Sequence, residues 1–224
     1  MKAPALVITC EHASNAVPDF VVRAFKVAGL AGIPKDTLKT HRGYDIGAFE
    51  VYRRLVRTMR PDFYLAGKFS RLVADLNRSE SSRDFFSAYT RDLPDNVKEH
   101  IRKLWLQHHS KVEHFVAKRI ASHDKGLHVI HLGIHSFTPV LNNVVRNADV
   151  GILYDPSREA ECHIADALIN EIQARAPQLR IRRNYPYRGT SDGLTTELRQ
   201  KFGEAYAGIE IEINQALLAY PAHV

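Results

Sequence analysis

The chain has 224 residues, 45% hydrophobic and 25% charged, which supplies enough apolar material for one sizeable α/β core and predicts a single domain over residues 1–224. No stretch approaches the roughly eighteen consecutive apolar residues of a membrane span, and the N-terminal MKAPALVITC runs into a strand without a cleavage pattern, so the expectation is a cytoplasmic protein with no membrane partner. Its 31 Lys and Arg against 25 Asp and Glu leave a net charge of +6, but the basic residues of Val51–Arg60 and Val97–Lys118 are interspersed with acidic ones, which argues against a nucleic-acid partner and suits a small anionic substrate.

In chain order, Ala5–Thr9 reads as a short apolar strand that ends in Cys10-Glu11-His12-Ala13-Ser14-Asn15. The other cysteine is Cys162. Two cysteines are too few for a disulfide framework or a thiolate zinc site, so a metal here has to be held by imidazoles and carboxylates. An amphipathic helix over Ile46–Arg60 and a strand over Asp62–Ala66 follow. Next comes a long helix over Asp95–Ser122 that carries Val97, Ile101, Leu104, His108, Val112, Phe115 and Ile120 on one stripe. Strands over His128–Ile134 and Val150–Tyr154, a helix over Arg158–Arg175, and strands over Leu179–Arg183 and Gly208–Ile213 complete the pattern. Strands alternating with helices predict an α/β fold with a mainly parallel sheet covered on both faces. In such sheets ligands bind beyond the carboxyl ends of the strands, and the polar residues there are the ones to weigh.

His12 follows one predicted strand and His135 another, each placed like a metal ligand. His12 could instead be incidental to a helix start capped by Ser14 or Asn15. Asp45, in His41-Arg42-Gly43-Tyr44-Asp45, is either a third ligand or a helix N-cap. Two imidazoles and one carboxylate with an open position form the ligand set of a catalytic zinc site. In Ser70-Arg71-Leu72-Val73-Ala74-Asp75-Leu76-Asn77-Arg78, two arginines flank an apolar stretch, so two guanidinium groups can be aimed from one loop with Asp75 holding one of them. An exposed basic loop with a structural Asp–Arg pair is the plainer reading. Glu210 and Glu212 alternate with isoleucines and share one side of the last strand, so they are either solvent-edge residues or one of them is a general base.

Taken together and in order, CEHASNAVP, HRGYDIGA, SRLVADLNRS, HLGIHSFTP and GIEIEINQALL resemble the N-formylglutamate amidohydrolase family over nearly the whole chain. The resemblance implies a three-layer α/β/α fold with a central mixed sheet, related to zinc carboxypeptidases and aspartoacylases. It implies zinc-dependent cleavage of the amide of N-formyl-L-glutamate or a related N-acylated acidic amino acid. A deacylase of other acyl specificity and a protein that kept only metal or anion binding are the alternatives. By the same resemblance His12, Asp45 and His135 hold the metal, and Arg71 polarises the carbonyl. Asn77 and Arg78 receive the substrate carboxylate, and Glu212 is the catalytic glutamate, with Glu210 as its alternative. The His-x-x-Glu pattern of carboxypeptidases is absent, since Asn15 stands three residues after His12. Glu11 is another candidate for the carboxylate ligand, but neighbours on a strand point to opposite faces, so Glu11 and His12 would not easily share one metal. His108 and His114 are expected to have ordinary packing or surface roles.

Overall fold

The computed structural model describes residues 3–121 and 126–218. Strands β1 (Ala5–Cys10), β2 (Phe63–Ala66), β3 (Val129–Phe137), β4 (Val140–Leu141), β5 (Val144–Val145), β6 (Val150–Leu153), β7 (Ile181–Arg183) and β8 (Tyr206–Asn214) follow one another along the chain. Helices α1 (Asp19–Val27), α2 (Lys35–Leu38), α3 (Ala48–Met59), α4 (Asp95–Ala121), α5 (Glu159–Arg175) and α6 (Leu194–Phe202) lie between them. Six strands form one sheet in the order β2-β1-β3-β8-β6-β7, and β4 and β5 form a separate antiparallel pair. Every pairing in the large sheet is parallel except that of β6 with β8, so the sheet is mixed and mainly parallel, as expected.

Strand alternation sorts the core into two faces. Ile8, Cys10, Leu132, Ile134 and Ile209 pack with Ala48 and Tyr52 of α3 and with Ala165 and Ile169 of α5. Val7, Val129 and Tyr206, of opposite parity, pack with Val112 and Val116 of α4 and with Leu194 and Leu198 of α6. The result is three layers. Each such aliphatic side chain, fully buried, contributes about 1.5–3 kcal/mol. A satellite cluster joins Val21 and Phe25 of α1 to Phe69, Val73, Leu76, Phe85 and the first turns of α4. It anchors the long irregular stretch between β2 and α4.

Each predicted strand and helix is present, with shifted ends. β3 continues three residues past Ile134 because it pairs with β8 over nine residues, from Val129↔Tyr206 to Phe137↔Asn214. The predicted end of the long helix, Ser122, lies outside the described residues. Helices α1, α2 and α6 are not anticipated by the pattern; they are short, and burial of Val21 and Phe25 in α1 and of Leu194 and Leu198 in α6 decides those two rather than propensity, while α2 is a single turn with no buried residue. Among the described residues no helix is long and apolar enough to cross a membrane.

One core histidine makes folding pH-dependent. His131 is fully buried on β3, with Nε2 2.7 Å from Thr9 Oγ1 and Nδ1 2.6 Å from the Tyr206 hydroxyl. Burial lowers its pKa to about 4, so it stays neutral in the fold while the unfolded chain takes up a proton near pH 6.5. A group with a depressed folded pKa costs nothing above 6.5 and penalises the native state as pH falls toward 4. The expected loss across that window is about 3 kcal/mol. Urea denaturation at pH 7 and pH 4.5 should show it, and His131→Gln should flatten this part of the slope; an unchanged slope would remove His131 as its source.

Candidate functional site

The three central parallel strands β1, β3 and β8 end together, and their ends carry the polar residues. His12 follows β1, while His135 and Glu212 face each other across the β3–β8 pairing. His135, Glu210 and Glu212 belong to the sheet face covered by α4 and α6, beyond the point where Tyr206 fills the core. There the sheet opens into a cleft lined by His12, Asp45, Arg71, Asn77, Arg78, His135, Glu210 and Glu212, together with Ser136 and the loop residues Tyr187, Arg188, Ser191 and Asp192. The fold thus brings all eight candidate side chains to one cleft from five separate segments of chain.

His12, Asp45 and His135 are all buried, and one ligand atom from each lies within 4.8 Å of the others. Both imidazoles turn Nδ1 toward the same oxygen, Asp45 Oδ2, at 3.4 Å for His12 and 3.0 Å for His135. Each turns Nε2 toward a different buried carboxylate. His12 Nε2 is 2.6 Å from Asp75 Oδ1, and His135 Nε2 is 3.1 Å from Glu11 Oε2. The second contact is an ion pair lying off the line of a hydrogen bond. A carboxylate behind each ring fixes its orientation and tautomer and leaves Nδ1 for a cation. These donors fit a metal: two nitrogens and one carboxylate oxygen converge, in the set that suits zinc with a position left open.

The alternatives resolve on geometry. Asp45 is not a helix cap, since Gly47 occupies the N-cap of α3 and the Asp45 carboxylate instead accepts from the Ser136 amide at 3.3 Å. Ser14 and Asn15 cap no helix either; α1 begins after Pro18, and Ser14 Oγ accepts from the Ala16 amide. The Ser70–Arg78 segment is no exposed loop, because residues 73–77 are buried. Arg71 Nη2 donates to Asp75 Oδ2 at 2.7 Å, as the pattern predicts, and Nη1 lies 3.6 Å from Asp45.

Electrostatics separates the acids. Burial alone would raise the Asp45 carboxyl, but His12 and His135 hold it well below the usual range. Burial likewise opposes ionisation of Asp75, and Arg71 and His12 outweigh it. His135 is the mirror case: burial favours the neutral ring, yet Asp45 and Glu11 keep its pKa well above the ordinary value. A metal taking these nitrogens must therefore displace protons. Glu212 behaves differently. Burial pushes its carboxyl up to about 8, and Oε2 is buried with no hydrogen-bond partner among the described residues. Glu210, on the same face, accepts from Asn77 Nδ2 and from Thr195 Oγ1, each at 3.2 Å.

Two residues behind the cleft take places that the sequence reading does not give them. The strand ends at Cys10, so Glu11 sits in a turn rather than on a strand and reaches His135 from below. His108, expected to have an ordinary role on α4, faces that carboxylate with Nε2 3.8 Å from Glu11 Oε1. Burial opposes the Glu11 charge, and the two histidines hold its pKa well below the usual value. Glycine at position 67 permits this turn, because a side chain there would collide with the Glu11 carbonyl. The available signal was the place of His108 on the apolar stripe, where a buried imidazole needs a partner. His114 is exposed, as expected.

A three-layer α/β/α scaffold with a buried, metal-competent His/Asp/His group and an adjacent carboxyl at the strand ends defines the class of α/β proteins built for chemistry in a cleft. Residues 4–219 match the family model described as N-formylglutamate amidohydrolase, and the chain belongs to that family. The family places it among the amidohydrolases. The structure is also similar to the crystal structure of gene product Atu2144 from Agrobacterium tumefaciens, with a TM-score of 0.76 and 29% sequence identity over 97% of this chain and 83% of that one. No curated protein matches the chain.

Proposed function

We propose that the protein is a zinc-dependent hydrolase that cleaves the amide of N-formyl-L-glutamate to formate and glutamate. The observation that carries this reading is the uncommitted Glu212 carboxyl in the same cleft as the buried His12–Asp45–His135 group. When bound by those three residues, zinc supplies Lewis acidity and lowers the pKa of water to about 7. Glu212 takes a proton from the attacking water and delivers it to the leaving amide nitrogen, so that water adds across the C–N bond. Arg71, braced by Asp75, is aimed at the carbonyl oxygen, where negative charge develops. Arg78 holds a substrate carboxylate with the edge left over after Nη1 donates to the Asn77 and Asp192 carbonyls. Asn77 has a different part, because its Oδ1 accepts from the Leu194 amide and its Nδ2 donates to Glu210. It braces Glu210 and the start of α6 beside the substrate.

Comparing turnover of N-formyl-, N-acetyl- and peptide-linked glutamate tests the acyl group. The formyl compound should be hydrolysed fastest, and equal or greater rates on the others would reject the deformylase assignment. Protein purified without added zinc should contain metal or be stabilised by adding it, by about 2.7 kcal/mol at a hundredfold excess over Kd. Metal-free protein whose unfolding zinc leaves unchanged would remove the metal from the mechanism.

A further inference from the structure

Three arginines line the cleft, and they differ in what already occupies them. Arg71 is paired with Asp75 and lies near Asp45. Arg78 donates to two backbone carbonyls and meets no carboxylate, since the Asp192 carboxylate is taken up by the Ser79 amide. Arg188 is exposed, and its guanidinium has no hydrogen bond or ion pair among the described residues.

A lone surface arginine would be unremarked, but the backbone under this one is fixed from several sides. The Gly189 amide donates to Asn184 Oδ1 at 2.9 Å, and the same oxygen accepts from the Tyr154 amide. The Gly189 carbonyl accepts from Arg199 Nη1 at 2.6 Å. Arg199 is itself buried against Glu161, with Nε 2.8 Å from Oε1. A side chain at position 189 would collide with the Tyr154 backbone, and the Arg188 carbonyl accepts from the Ser191 amide. The loop therefore presents a free planar fork from a held backbone, the arrangement that favours bidentate capture of a carboxylate.

We propose that Arg188 is a second carboxylate receptor and the residue through which the cleft tells an acidic side chain from a neutral one, with Arg78 and Arg188 each taking one acid group. This rests on the reading of the cleft as an N-acyl amino acid site and adds the residue that distinguishes an acidic side chain from a neutral one. A ligand with one carboxylate satisfies Arg78 and leaves Arg188 in water; a second carboxylate gains a charge-assisted pair.

Glutarate and butyrate, which differ by one carboxylate and cannot be hydrolysed, are the probes, titrated calorimetrically into the zinc-supplemented protein. The unsubstituted protein should prefer glutarate. Arg188→Ala should weaken glutarate binding about tenfold or more, leave butyrate within about twofold, and so erase the preference; Arg188→Lys should restore part of it. Arg78→Ala should weaken both probes. Glutarate binding by Arg188→Ala within about twofold of the parent, no preference in the parent, or no glutarate binding up to about 10 mM, tenfold above the usual upper range of KM, would overturn the proposal. Turnover measured in parallel keeps the two readings apart. A protein that prefers glutarate through Arg188 but hydrolyses no N-acyl glutamate loses the hydrolase assignment and keeps the receptor, whereas one that hydrolyses N-formylglutamate while Arg188→Ala retains the preference loses only the receptor.

Discussion

Glu212→Gln is expected to retain metal and ligand affinity while kcat falls by roughly 10²–10⁴, the range for loss of a general base. The amide keeps the shape of the carboxyl and removes its ability to accept a proton. Because a base must be ionised to act, kcat/KM should rise with pH through the Glu212 pKa. Burial pushes that pKa up to about 8, and a divalent cation beside it works in the opposite direction, so the acid limb of the zinc-loaded enzyme should lie below 8. Glu210→Gln is the comparison. Glu210 already accepts two hydrogen bonds, so its substitution should disturb Asn77 and Thr195 more than the proton transfer. Should Glu210→Gln abolish turnover while Glu212→Gln stays active, the base is Glu210; if both variants are fully active with metal bound, the mechanism has no base and fails.

Removing His12 or His135 should cost the protein its metal, by more than about 100-fold in affinity, since loss of a supporting partner alone typically costs 10–100-fold. The two variants should part company in stability. After His12→Ala, Asp75 still accepts from Arg71 at 2.7 Å and from the Asn77 amide at 2.9 Å, so the native state should lose only about 1–3 kcal/mol. After His135→Ala, Glu11, 2% exposed in the parent, keeps the His108 ring at 3.8 Å as its nearest imidazole. An uncompensated buried charge costs about 3–5 kcal/mol, and protonation relieves it. The stability gap between His135→Ala and the parent should therefore narrow as pH falls from 7 to 5, as followed by urea denaturation in the presence of chelator. His114→Ala, at an exposed position, should stay within about 0.5 kcal/mol and keep its metal. Equal behaviour of the two ligand variants would count against the Glu11 contact, and metal retained by either would remove that residue from the centre.

The order of strands and long helices was legible because apolar runs and helical stripes persist over many residues, as in Val129–Ile134 and along α4. The places of His12 and His135 were legible through strand ends, where a buried run stops and a polar side chain begins, whereas for Asp45, ahead of α3, the choice of ligand over helix cap came only with the resemblance of HRGYDIGA. What lay outside the sequence was depth. Nothing local separates Glu11 from Glu212, yet two histidines hold the pKa of one carboxyl well below the usual value and burial pushes the other up to about 8. That difference comes from α4, whose His108 is brought over β1 by the packing of Val112 and Val116. The hydrogen bonds of Asn77 were hidden for a similar reason: its amide meets Leu194 and Glu210, which lie more than a hundred residues away.

The buried Arg199–Glu161 pair holds the 184–193 loop from behind, whereas Tyr187 and Arg188 on the cleft side of that loop are exposed. With the proposed role of Arg188, anchorage and recognition are divided between two sides of one segment. Substitutions at the exposed positions remove no core contact and leave the anchor in place, so natural drift or laboratory selection can revise which ligand is admitted without first having to rescue folding. The metal-competent group, built from buried residues that lean on one another, has no such latitude. Within one cleft, the chemistry is conservative by construction and the choice of substrate is evolvable.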